Sequence, residues 1–112
     1  MATRLEGLLQ HLGRAHALRA AESIRVQAAD VYKELIEIDQ KRGDLRDVAT
    51  NKGQLGTVRL LQRRYAEALA AWDEARQTFE QLGEPGSVAK AWHQIGYVHQ
   101  ESGQFEAAEH AY

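Results

Sequence analysis

The sequence repeats itself at an interval of 40 residues. Gln54-Leu55-Gly56-x-Val58 returns as Gln94-Ile95-Gly96-x-Val98, and Tyr65, Ala68 and Trp72 return as Phe105, Ala108 and Tyr112. The offset holds through the connecting segment, where Gly43 matches Gly83 and Val48-Ala49 matches Val88-Ala89. One step earlier, Ala28 and Tyr32 stand where Ala68 and Trp72 stand later. A fixed period in this range builds a solenoid, because each unit has an apolar face that only its neighbours can cover.

The spacing inside each unit is helical. Trp92, Ile95, Gly96 and His99 fall at i, i+3, i+4 and i+7, which places them on one face. Gly103 stands where that helix is expected to stop, and Phe105, Ala108 and Tyr112 recur at the same spacing on a returning helix. Gly96 and Ala108 are small enough to let two helix axes approach, with Trp92, Phe105 and Tyr112 filling the space around the crossing. In the preceding unit one helix is expected from about Arg46 to Gln62, capped by Asp44 or Asp47. Its partner is expected from Tyr65 to about Gln81, with Ala66, Ala68, Leu69, Ala71, Trp72, Ala75 and Phe79 on the apolar side. Gly56 has a reason to be small at the crossing; Gly53 has none that the sequence supplies. Gly83-Glu84-Pro85-Gly86-Ser87 reads as a loop, with Ser87 as the next N-cap.

The first 42 residues admit two arrangements. If the period is strict, a helix pair turns at residues 20–23, and this is the reading the repeat favours. No glycine or proline marks such a turn, and apolar residues run on through Ile24, Ala28, Val31, Leu35 and Ile38 at steps of three and four. The alternative is one helix from Thr3 to Arg42, which would swing its N-terminal half away from its own repeat and invite exchange with a second chain. Lys41, Arg42 and Gly43 end the segment in either case.

Trp92-x2-Ile95-Gly96-x2-His99 followed by Ala108-x3-Tyr112 resembles the tetratricopeptide repeat pattern of Trp, Leu-Gly, Tyr, Ala and Phe. The upstream copy keeps Leu55-Gly56, Ala68 and Trp72, with Lys52 in place of the Trp and Arg59 in place of the Tyr. The resemblance is to the long-unit variety, of about 40 residues. It implies one domain over residues 1–112, an all-α, right-handed α-solenoid of antiparallel helix pairs. Its units would span residues 5–42, 46–82 and 87–112, the last one cut short. The resemblance further implies a non-catalytic module that holds a partner's peptide or helix in a concave groove, within a larger scaffold or regulatory protein. The groove-lining positions it nominates are Thr50, Gln54, Thr57 and Leu61 on one helix and Lys90, His93, Gln94, Tyr97 and Glu101 on the next. A clamp for a C-terminal carboxylate fits poorly, since Gln54 and Gln94 stand where that clamp uses asparagine. The alternative function is self-association through the uncovered faces of the terminal helices.

Other chemistries find little support. A net charge of −2 with both signs interspersed offers no basic surface for nucleic acid or anionic membrane. There is no cysteine, no apolar leader and no run approaching the ~18 residues a membrane span needs, so a cytoplasmic protein is expected. His93 and His99 are six apart, His11 and His16 five apart, and His110 stands alone. None of these makes the i, i+4 pair around a glutamate that helical zinc sites use. Gly53-x-x-Gly56-Thr57 lacks the lysine of a phosphate loop. Arg59, Arg63 and Arg64 form a small basic knot, read as a solvated turn with a contact to phosphate or acidic peptide as the sharper alternative. No catalytic residue, cofactor or metal is expected.

Overall fold

The computed structural model describes residues 4–110, with side chains described as far as Gln104. Four helices follow in order: α1 (Arg4–Arg42), α2 (Leu45–Leu61), α3 (Tyr65–Gln81) and α4 (Pro85–His110). Each packs on the next along the chain, which is the layered arrangement of an α-solenoid. No helix among the described residues is long and apolar enough to cross a membrane.

Three turns of one design join them. Gly43, Arg63 and Gly83 take positive φ values of 71, 60 and 70°, at intervals of 20 residues. At each, the following N–H reaches back to the carbonyl five residues earlier: Asp44 to Asp39, Arg64 to Arg59, Glu84 to Phe79, at 2.8–3.0 Å. This is the Schellman closure, which satisfies carbonyls that a helix end leaves without partners. The next helix starts two residues later each time. Asp44 caps α2 by accepting from the Asp47 N–H at 3.3 Å. At α4 the chain differs from expectation, because Pro85 is already helical. Proline suits a first helical position, where its missing N–H costs nothing. Ser87 therefore lies inside the helix, its hydroxyl donating to Glu84 Oε2 at 3.1 Å.

The core is the α2–α3–α4 layer. Ala49, Ala68, Trp72, Ala75, Phe79, Ala91 and Val98 form one buried cluster, with Leu60, Tyr65, Leu69, Val88 and Ile95 against it. Trp72 sits between the two glycines of α2. A Cβ on Gly56 would stand 2.7 Å from Trp72 Cδ1, and one on Gly53 would stand 2.8 Å from Cζ3. Both glycines are thus the floor of an indole slot, which accounts for Gly53 as well as Gly56. α1 joins through Ala29, Ile36 and Asp39, all buried, and Asn51 Nδ2 donates to Asp39 Oδ2 at 2.8 Å across the α1–α2 contact.

Two expectations are corrected at the ends. The turn favoured at residues 20–23 is absent: α1 is one continuous helix of 39 residues, the alternative arrangement. Likewise α4 runs through Gly103 without stopping. A continuous helix keeps every backbone hydrogen bond, and a glycine inside it costs only about 1 kcal/mol. Gly96 consequently meets no close helix, since nothing lies within 4 Å of where its Cβ would be. Trp92, expected in the core, is 51% exposed, and His99, expected to pack, is exposed as well. The expected roles of Phe105, Ala108, His110 and Tyr112 fall outside the described side chains.

Candidate functional site

α2 and α4 lie side by side across α3, and the space between them is a groove. At the end nearer their N-termini it is a narrow cleft of about 110 Å³. Arg46, Thr50 and Gln54 line it from α2, Ser87 and Lys90 from α4, and Trp72 and Phe79 form its floor. At the other end it widens to about 330 Å³. There Thr57, Leu60 and Leu61 face Gln94, Tyr97 and Glu101, with Arg63 and Tyr65 beneath. Eight of the nine positions nominated by resemblance therefore meet in one groove. His93 is the exception: it is exposed on α4 and lines neither cleft.

The positions pair because helical period and repeat period agree. Thr50, Gln54, Thr57 and Leu61 advance by four, three and four residues, which keeps them on one face of α2. Lys90, Gln94, Tyr97 and Glu101 repeat those steps 40 residues on. Arg46 extends the α2 row one turn further. That i−4 spacing from Thr50 was visible in the sequence and marks it as the residue the nomination missed.

The polar groups of the groove divide into spent and unspent. Thr50 Oγ1 donates to the Arg46 carbonyl at 3.0 Å and Thr57 Oγ1 to the Gly53 carbonyl at 3.4 Å, so both hydroxyl protons are committed to their own helix. Arg46 Nε donates to Glu84 Oε1 at 2.7 Å, tying the first turn of α2 to the residue preceding α4. The bond holds the guanidinium above its ordinary pKa. Gln54, Lys90, Gln94 and Tyr97, by contrast, have no hydrogen-bond or ion-pair partner among the described residues. Tyr97 is 46% exposed and Leu61 53% exposed, so the wide end offers an aromatic ring and an aliphatic side chain beside two unspent polar groups.

The basic knot is split: Arg63 and Arg64 are exposed at the α2–α3 turn, as a solvated turn would have them, while Arg59 is drawn inside. Arg59 is 8% exposed: its Nε donates to Glu67 Oε2 at 3.0 Å and its Nη1 to Gln62 Oε1 at 3.0 Å, between α2 and α3. Arg64 shares the same Glu67 carboxylate at 3.5 Å. On the far side of α4, Trp92 covers the Arg76 guanidinium at 4.5 Å from ring centroid to Cζ. Asp73 and Glu80 hold that guanidinium from below at 2.7 and 2.9 Å. Asp73 is kept below the usual carboxylate range mainly by its hydrogen bonds from Arg76. Among the described residues no three His, Cys, Asp or Glu side chains converge as a metal site would require.

A family model described as tetratricopeptide repeat matches residues 47–112. No curated protein and no solved structure matches the chain.

Proposed function

The chain belongs to the tetratricopeptide repeat family, an interaction fold without catalytic function of its own, and we propose that it binds a protein partner in the groove between α2 and α4. The observation that carries this reading is the row of unspent polar groups, Gln54, Lys90, Gln94 and Tyr97, in a groove with apolar side chains at its floor and wide end. Amides can both donate to and accept from a peptide backbone, which suits a bound segment of extended or helical form. Tyr97 and Leu61 supply the apolar anchor, at the wide end where a side chain of the ligand would seat. The mixed lining, with Lys90 and Glu101 at opposite ends, selects a peptide whose acidic residue lies toward the α2 and α4 N-termini. A scaffold or regulatory role within a cytoplasmic assembly is the setting we assign to such a module.

The test is selection of peptides from a random display library against the chain, followed by titration of the selected peptides against a Tyr97→Ala, Gln94→Ala variant. Both residues are surface-exposed or half-buried, so the variant should melt with the wild type. Binding should weaken by at least about tenfold, the loss of one aromatic anchor. Peptides that bind the variant as tightly as the wild type would place the ligand elsewhere.

A further inference from the structure

α1 is about 58 Å long at 1.5 Å per residue, close to the 64 Å greatest dimension of the molecule. The last turn of α2 meets it near Leu18 to Val26, and among the described residues those from Arg4 to Ala17 extend about 20 Å beyond that contact. Along the side of α1 turned away from Ala29, Ile36 and Asp39 runs one exposed stripe, stepping by three or four residues from Leu5 to Ile38. Monomers seldom leave so long an apolar row in water.

The stripe is its own mirror image. Leu5 and Ile38, and Leu12 and Val31, are equidistant from the point between residues 21 and 22, and Leu9 and Leu35 from residue 22. Nearer the centre, Ala20 mirrors Ile24, and the one polar pair, His16 and Gln27, mirrors itself between apolar neighbours. All ten of these residues are exposed. An antiparallel copy therefore sets every apolar side chain against an apolar one and His16 against Gln27, whose amide can bond an imidazole nitrogen. Helix polarity agrees with this direction. A parallel copy would set Glu6 against Glu6 and Arg42 against Arg42, with the helix dipoles aligned unfavourably. The paired stripes and their flanks would bury on the order of 1,000 Å² over both copies, where specific association begins.

We propose that α1 is a homodimerisation helix, pairing antiparallel with α1 of a second copy about a two-fold axis at residues 21–22. The groove between α2 and α4 plays no part in this contact and remains open in each copy. A single polar rung in an otherwise apolar seam fixes the register, because sliding by one turn would bury His16 and Gln27 against leucine or valine.

The chain has no cysteine, so introduced thiols report without background. A Leu12→Cys, Val31→Cys double variant should form covalent dimers on mild oxidation. The two positions are about 28 Å apart on one helix, far beyond disulfide reach, so any bond joins two copies. Leu12→Cys alone should not cross-link, since mirror-related copies of residue 12 are about 29 Å apart. Light scattering of the unmodified chain should show a dimer at high concentration, and Leu9→Glu should weaken it by at least about tenfold. Leu9 is 59% exposed, so the substitution leaves the isolated fold intact, which helical circular dichroism checks. A monomer at every concentration would overturn the proposal. So would a dimer indifferent to Leu9→Glu, or cross-linking by Leu12→Cys alone as readily as by the double variant.

Discussion

Replacing Gly56 by alanine adds one methyl group, and two opposed terms decide the result. Alanine is favoured over glycine inside a helix by about 1 kcal/mol. Against this, the new Cβ would stand 2.7 Å from Trp72 Cδ1 and 2.8 Å from Nε1, where carbon contacts normally lie at ~3.5–4.0 Å. The indole cannot retreat: it is 7% exposed, and its opposite edge already lies against Gly53. Overpacking of this kind costs about 1–3 kcal/mol and occasionally more. Its N–H has no acceptor among the described residues, so no hydrogen bond would be traded away as the ring shifts. The balance is a net destabilisation of up to about 2 kcal/mol. The control is Gly96→Ala, at the same place in the next unit, where nothing lies within 4 Å. There only the propensity term acts, and stability should rise by up to about 1 kcal/mol. At roughly 4–8 °C per kcal/mol for a chain near this size, melting followed by circular dichroism should move the two variants in opposite directions. A Gly56→Ala variant that melts at or above the wild type would refute the packing argument.

Three further outcomes follow from the same contacts. Arg63 is held at φ 60°, a conformation that costs a side chain roughly 1–2 kcal/mol, so Arg63→Gly should raise the melting temperature by a few degrees. Asn51→Ala removes the hydrogen bond to the buried Asp39 carboxylate and should lower the urea midpoint by the equivalent of about 1.5–3 kcal/mol, with the slope unchanged. Asp73 is held below its ordinary pKa by Arg76, so its contribution is present above the unfolded carboxylate value near 3.9 and is lost as pH falls through the lower folded value. Acidification through that window should therefore destabilise the wild type more than Asp73→Asn, measured as the difference between their melting curves.

Much of this architecture was legible in residue spacing. The 40-residue offset located α2 and α3 to within a residue of their observed bounds, while the groove positions came from the family resemblance, and eight of those nine line the two clefts. What spacing could not reveal was whether an apolar face would be covered. Trp92 has the period of a core residue, yet half of it faces water, because α4 continues where a returning helix was expected. The turns were equally deceptive in both directions. Arg63 turns without a glycine, while Gly103 is a glycine that does not turn. The left-handed residue costs only a kilocalorie or two, so it is the packing of the returning helix that decides, and packing is not a local property. Gly53 was opaque for a related reason: its constraint is the edge of an indole 19 positions away.

Both walls of the groove rest on α3, and this separates aperture from chemistry. The side chains wedged beneath the walls include Ala68 and Ala75, each fully enclosed. Their volume sets the gauge between α2 and α4 as a shim sets the gap of a vice. A bulkier residue at either alanine would prise the jaws apart while leaving every ligand-facing atom chemically unaltered. In a layered helical protein of this kind, selectivity can thus be retuned from the hidden side of the scaffold.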